Sequence, residues 1–238
     1  MPSFLHYLPT LSEPIVLVTG DADESIGYDP TLPYSSMAPP IDDNVIQSIL
    51  ESPHIIKWFA QNCMYQHKKL IHMPIGMYYH TMSLSPIEQE LEIKEIKKKI
   101  VPKKRIAYTT IHFASHRGDR KEVIEKVPKE LVYYEPSQVS RKESHLSQME
   151  YEFVLSPYGN GPDCHRTWEA LVLGSIPIVR SSKMDPVFDG LPVLIINDWS
   201  EVQIELLNKT IESFSQKQFQ LEKLKLSYWV NLIKNAGN

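Results

Sequence analysis

Arg166 and Glu169 stand three residues apart in the stretch SPYGNGPDCHRTWEALVLGSIPIV, Ser156 to Val179, just behind a loop carrying Gly159, Gly161 and Pro162. Glycines let a ligand approach the backbone, and Asp163 has the type and position to cap a following helix by accepting from the N–H of His165 or Arg166. The start of a helix carries roughly half a positive charge and unpaired N–H groups, so an anion, above all a phosphate, suits it. Arg166 falls in the first turn, where a cation opposes that dipole unless an anion lies there; its guanidinium can grip a pyrophosphate with two donors. Glu169, on the same face, has two uses: pairing with Arg166, or accepting from a vicinal diol such as a ribose. The plainer reading of both residues is a surface helix with a local ion pair.

A second cationic loop, TTIHFASHRGDR, holds His112, His116, Arg117 and Arg120. It too leaves an apolar run and enters a helical pattern, so a parallel sheet would set it on the same rim as Arg166. Two arginine loops on one crevice suit a doubly charged leaving group; solvated loop arginines are the alternative. Asp21 and Asp23 follow the apolar run PIVLVTGD. Either would serve as a base at a strand's carboxyl end, with His72, His112 and His116 as competitors and a plain turn as the other reading. His112 and His116 are four apart with no third ligand at an obvious spacing, so no metal site is expected. A serine nucleophile elbow and a phosphate-binding P-loop are both missing. The lone GDAD leaves a metallophosphoesterase as the alternative enzyme, and a nucleotide-sugar- or glycan-binding module without a base is the non-catalytic alternative.

The elements that would position these residues read as an α/β chain in two parts. Over residues 1–100, PIVLVTGD, IIKWFAQN and KLIHMPIGM read as strands, with a helix from Asp42 or Asp43 to about Glu51 and a short helix around Cys63 to His67. Over residues 101–238, strands RIAYTTI, LVYYEP, YEFVLSP, SIPIVRS and LPVLIIND alternate with helical patterns, the signature of a parallel sheet. Ser85 to Lys99 reads as a helix joining the two, and QKQFQLEKLKLSYWVNLIKN as one final helix with a broad apolar surface that must dock on something. The expectation is thus two Rossmann-like lobes with parallel sheets facing a cleft, the first shortened and the second binding the ligand.

Composition bounds the partners. The 238 residues are 42% hydrophobic and 23% charged with a formal net charge of -4, and the basic run KEIKKKIVPKKR reads as a solvated helix end, so nucleic acid is not an expected partner. No window approaches the ~18 apolar residues of a membrane span. Only two cysteines occur, Cys63 and Cys164, which points to free thiols in a reducing, cytoplasmic compartment.

LSPYGNGPDCHRTWEALVLGSIPIV, followed by LPVLIINDWSEV and the final YWV, resembles the donor-binding half of exostosin-family glycosyltransferases, and WFAQN, KLIHMPIGM and HRGDR are similar to stretches of related exostosin-like proteins. The likeness is strongest from about Tyr151 to Glu201, thinner from about Lys57 to Arg120, and weak before Ile15. It implies a GT-B enzyme, in which two Rossmann-like lobes face each other across a cleft. It further implies that Arg166 contacts the diphosphate and Glu169 the ribose of a nucleotide sugar, with UDP favoured over GDP. Arg117 and Arg120 match the family's upstream basic loop, and Tyr158, Gly159, Asn160 and His165 complete the expected donor-binding set. The expected reaction moves the sugar to a carbohydrate hydroxyl with inversion and without a metal cofactor, Asp21 or Asp23 acting as base. The 238 residues are shorter than most GT-B enzymes, and neither the membrane anchor nor the disulfide-rich lumenal setting usual in the family is expected from them.

Overall fold

The computed structural model describes residues 2–20, 22–30, 32, 38–80 and 84–237. A short helix that the sequence did not announce, α1 (Pro2–Tyr7), precedes β1 (Ile15–Thr19). Then follow α2 (Asp43–Glu51), β2 (Ile55–Ala60) and β3 (Leu70–His72). The three strands form a parallel sheet in the order β1-β2-β3. Asp42 caps α2 by accepting from the Asn44 N–H at 2.8 Å, and the helix buries Ile46, Ile49 and Leu50 in a cluster with Ile55 and Trp58.

No helix spans Cys63 to His67, contrary to expectation. Asn62 takes a left-handed φ of 50°, and the backbone on either side of it pairs with Ile26 instead: the Ile26 N–H donates to Asn62 O at 2.9 Å and the Met64 N–H to Ile26 O at 2.8 Å. Amides committed to that bridge cannot close a helical turn.

The connecting helix α3 (Pro86–Lys97) begins on a capping box in which Ser85 and Glu88 satisfy each other's backbone N–H groups. Although it lies within residues 1–100, its buried Ile93 and Ile96 pack against Met149 and Leu173 of the following lobe. That lobe comprises β4 (Lys104–Thr109), α4 (Arg120–Lys126), β5 (Val132–Tyr134), α5 (Arg141–Gln148), β6 (Tyr151–Leu155), α6 (His165–Val172), β7 (Ile176–Arg180), β8 (Leu194–Ile196), α7 (Ile204–Ser215) and α8 (Leu226–Asn235). Its five strands run in the order β5-β4-β6-β7-β8, every neighbouring pair parallel. Central strands of such a sheet are buried on both faces, which is why β6 and β7 read as near-continuous apolar runs rather than alternating ones. Ala107, Phe153, Leu155, Ile178 and Trp199 form the middle of the larger core cluster.

The expected single final helix is broken. After α7 the chain runs without helix to a 3-10 turn at Leu221–Leu224, and only then into α8. The Gln220 N–H donates to Gly190 O at 2.8 Å and the Trp229 indole donates to Lys223 O at 2.8 Å, so tertiary partners replace the helical ones. Beyond α8, Gly237 lies beside Ile56 and Val16, bringing the chain end back onto the first sheet. Among the described residues no helix is long and apolar enough to cross a membrane.

The strand order locates the site. From β4 the chain goes to β5 on one side, then crosses to β6 on the other, so the loops after β4 and β6 diverge at a topological switch point, where open parallel sheets leave a crevice at their carboxyl ends.

Candidate functional site

A cleft of about 600 Å³ lies at that crevice. The loop after β4 contributes Thr110, Phe113 and Arg117, and Arg120 opens α4 behind it. The loop after β6 contributes Asn160, Gly161 and Asp163, and α6 adds His165, Arg166 and Glu169. Gln138, Val139 and Arg141, from the loop after β5 and the start of α5, close the near end, while Asp23, Ile75 and Tyr78 of the first lobe form the facing wall. The two cationic loops therefore meet, as the parallel sheet requires.

The guanidinium groups in this cleft are short of partners. Arg166 Nη2 donates to Pro157 O at 2.9 Å, but its Nε is buried with no hydrogen-bond partner among the described residues. Arg120, only 9% exposed, makes two long contacts of 3.4 Å to the carbonyls of Tyr158 and Ala114. No carboxylate pairs with Arg117, Arg120 or Arg166 among the described residues. Burial, then the nearby charges of Arg166 and Arg117, push Arg120 down to about 10. A buried donor without an acceptor costs about 1–3 kcal/mol, and more when charged. Arg120 and Arg166, both underserved in this way, with the exposed Arg117 beside them on the same cleft, mark a place built for an anion that supplies the missing acceptors. Arg120→Met is accordingly expected to raise stability by about 1 kcal/mol, by removing an uncompensated buried charge, while weakening diphosphate binding about tenfold. Thermal unfolding and calorimetric titration with UDP check the two signs separately.

Glu169 does not pair with Arg166. Its carboxylate lies 3.9 Å from Arg141 Nε and 3.6 Å from the buried His145 Nε2. Burial works to raise its pKa, but His145, Arg141 and His165 outweigh burial and hold it below the usual carboxylate range. The group is an ionised acceptor at the cleft wall. Arg141 also donates to Gln89 and lies over the Tyr78 ring, 6.0 Å from its centroid.

Asp163 departs from its expected role. Cys164 is the N-cap residue of α6 and makes no side-chain cap bond; the Asp163 carboxylate instead accepts from the Ile75 N–H of the first lobe at 2.7 Å, the Trp168 indole at 2.8 Å and the Cys164 N–H at 2.9 Å. Its own N–H donates to Asn62 Oδ1 at 2.9 Å, and Asn62 Nδ2 donates to Ala22 O at 3.0 Å. An interlobe bond network thus forms where a local cap was expected, the carboxylate being taken up by Ile75, Trp168 and Cys164 rather than by the N–H of His165 or Arg166. Gly161 belongs to the same junction: a Cβ there would stand 2.7 Å from Asp23 O and 2.9 Å from Asn62 Nδ2. Gly161→Ala is expected to cost about 1–3 kcal/mol by forcing the lobes apart, visible as a lower unfolding midpoint and as earlier proteolysis between the lobes.

The other residues singled out from sequence are distributed as follows. Asn160 lines the cleft and donates to Asp23 Oδ2 at 3.2 Å, across the two lobes. Tyr158 and Gly159 are not on the cleft wall: Tyr158 is buried, its N–H donating to Asp119 Oδ1 at 2.9 Å and its hydroxyl to Arg180 O at 3.3 Å, so it supports Arg120 from behind. Asp21 lies outside the described residues. None of His72, His112 and His116 lines the cleft, and His112 Nε2 is taken up by Glu135 O at 3.0 Å. Among the described residues no cluster of His, Cys, Asp and Glu has the form of a metal site.

Several participants escaped sequence reading. Arg141 opens α5 as Arg120 opens α4, so the misplaced-cation argument made for Arg166 would have found it. Asp119, in HRGDR, carries no sequence signal of its role: it accepts from the Trp199 indole at 2.7 Å as well as from Tyr158, and so locks the two cationic loops together. Gly118 beside it has φ +51°, and a Cβ there would sit 2.5 Å from Tyr158 O. No protein-family model matches the chain, and no curated protein matches it.

Proposed function

We propose that this chain is a glycosyltransferase of GT-B type that transfers a sugar from a nucleoside diphosphate, UDP before GDP, to a carbohydrate hydroxyl with inversion and without a metal cofactor. One observation carries the reading: Arg117, Arg120 and Arg166 line a single cleft at the switch point without carboxylate partners among the described residues. As the glycosidic bond breaks, the departing diphosphate gains negative charge, so fixed cations hold the transition state more tightly than the ground state. Glu169, kept ionised one turn along α6 from Arg166, suits the hydroxyls of the ribose. Gln138 and Val139 line the same cleft. An inverting displacement also needs a proton acceptor at the incoming hydroxyl. Asp23 and His165 both line the cleft on the side of the first lobe. The two free cysteines, Cys63 and Cys164, fit a reducing cytoplasmic setting.

Calorimetry with UDP and GDP, followed by release of either nucleotide from a panel of sugar donors, tests the reading. Binding that persists in EDTA, with slow release from one donor class, is the expected result. An absence of nucleotide affinity at millimolar concentration would remove the proposal.

A further inference from the structure

We infer that His165 is the general base of this site, acting on an acceptor hydroxyl delivered from a second chamber; this rests on the transferase reading above. Next to the cleft lies a chamber of about 560 Å³ lined by Gly20, Gln61, Met73 and His80. Among the described residues, three line both spaces: Asp23, Ile75 and His165. A hydroxyl entering from one chamber and a sugar held in the other meet at this boundary, so the proton acceptor must come from it. Ile75 has no titratable group. Asp23 Oδ2 is engaged by Asn160, which sets the carboxylate as part of the junction between the lobes.

Of the described groups at this boundary, His165 is the one prepared for the role. Its Nδ1 lies 2.9 Å from Gly76 O, and a carbonyl oxygen only accepts, so in the neutral ring Nδ1 carries the hydrogen and Nε2 keeps its lone pair. Nε2 has no hydrogen-bond partner among the described residues. The ring is held edge-on to Tyr78 at 5.2 Å between centroids, with His80 at 5.8 Å; Arg166 adjoins it and Glu169 lies one turn along α6. In the step, Nε2 takes the hydroxyl proton as the oxygen bonds to the anomeric carbon. The bond from that carbon to the phosphate oxygen breaks, its electron pair stays with the nucleoside diphosphate, and the imidazolium later gives its proton to water.

The full chain is compared with His165→Asn, whose amide can still donate to Gly76 O but has no second ring nitrogen, with His165→Ala, and with Asp23→Asn. UDP affinity by calorimetry, unfolding temperature, and UDP or GDP release from a panel of sugar donors, with water or small saccharides as acceptor, are read in parallel. The expected result is UDP affinity and unfolding temperature close to wild type for His165→Asn, with release slowed at least about a hundredfold, and Asp23→Asn slowed less than about tenfold. A long-range proton–nitrogen NMR spectrum of the unliganded wild type should show His165 protonated on Nδ1 at high pH. Release within threefold of wild type in His165→Asn, a larger loss in Asp23→Asn, or an Nε2-protonated tautomer overturns the assignment while leaving the nucleotide site standing. UDP binding without release from any donor also overturns it, because a base in place would activate water. Failure of the wild type to bind either nucleotide removes the transferase reading itself, and the base with it.

Discussion

Arg166→Ala is expected to reduce turnover at least a thousandfold and to weaken UDP binding about a hundredfold, without loss of fold. The guanidinium offers charge-assisted donors to a diphosphate, each worth about 1.5–3 kcal/mol, and its removal forfeits two of them. The larger loss in rate follows because charge on the leaving group grows in the transition state, where the preorganised cation matters most. Within the unliganded protein the residue contributes one hydrogen bond, to Pro157 O, and repels the buried Arg120. Those two effects oppose each other, so the unfolding temperature should stay within a few degrees. Arg166→Lys should recover part of the affinity and little of the rate, since an ammonium cannot reproduce the planar fork. Equal losses in both variants, or an unchanged UDP affinity in Arg166→Ala, would contradict this account.

Asp163→Ala carries the largest expected effect on stability, about 4 kcal/mol, or roughly 10 °C in the unfolding midpoint for a chain of this size. Three donors, the Ile75 and Cys164 N–H groups and the Trp168 indole, lose their acceptor, and one of them belongs to the other lobe. The effect also has a pH signature. Burial pushes the Asp163 carboxyl up to about 6, against the pull of its donors from Ile75, Trp168 and Cys164, while in the unfolded chain it titrates at its ordinary value of 3.8. Between those values the folded state holds a proton that the unfolded state has released, so this group's contribution is fully present below the unfolded pKa and is lost as pH rises through 6. The deficit of Asp163→Ala should therefore be greater at pH 4.5 than at pH 7, by about 2 kcal/mol. Paired denaturant titrations of the two proteins measure it; a deficit that grows toward neutral pH would reverse the sign.

Local pattern and tertiary contact divided the legibility of this chain. Each strand of the second lobe could be read because short apolar, β-branched or aromatic runs alternate with helical spacing, and the parallel order then places the β4 and β6 loops on one rim whatever the details. Arg166 was legible because its charge opposes the local dipole, a conflict visible in sequence alone. Asp163 was misread for a related reason: a local rule offered it the α6 cap, whereas its strongest donors, Ile75 and Trp168, come from another lobe and from one turn farther along the helix. Asn62 left only a weak signal: asparagine tolerates the left-handed region better than most residues, but nothing in WFAQN announces a side chain that joins Ala22 to Asp163. The last segment was misjudged because apolar periodicity in QKQFQLEKLKLSYWVNLIKN does not reveal that Gln220 finds a carbonyl at Gly190. Contacts between residues far apart in sequence, rather than secondary structure, were what the sequence withheld.

A crystal structure of the protein with UDP bound tests the anion cradle most directly. The diphosphate should lie against α6 with its oxygens within hydrogen-bond distance of Arg166 and Arg120, Arg166 Nε newly satisfied and the ribose turned toward Glu169. An ordered UDP elsewhere on the molecule, or one whose phosphates face solvent while Arg166 Nε stays unpartnered, would contradict it.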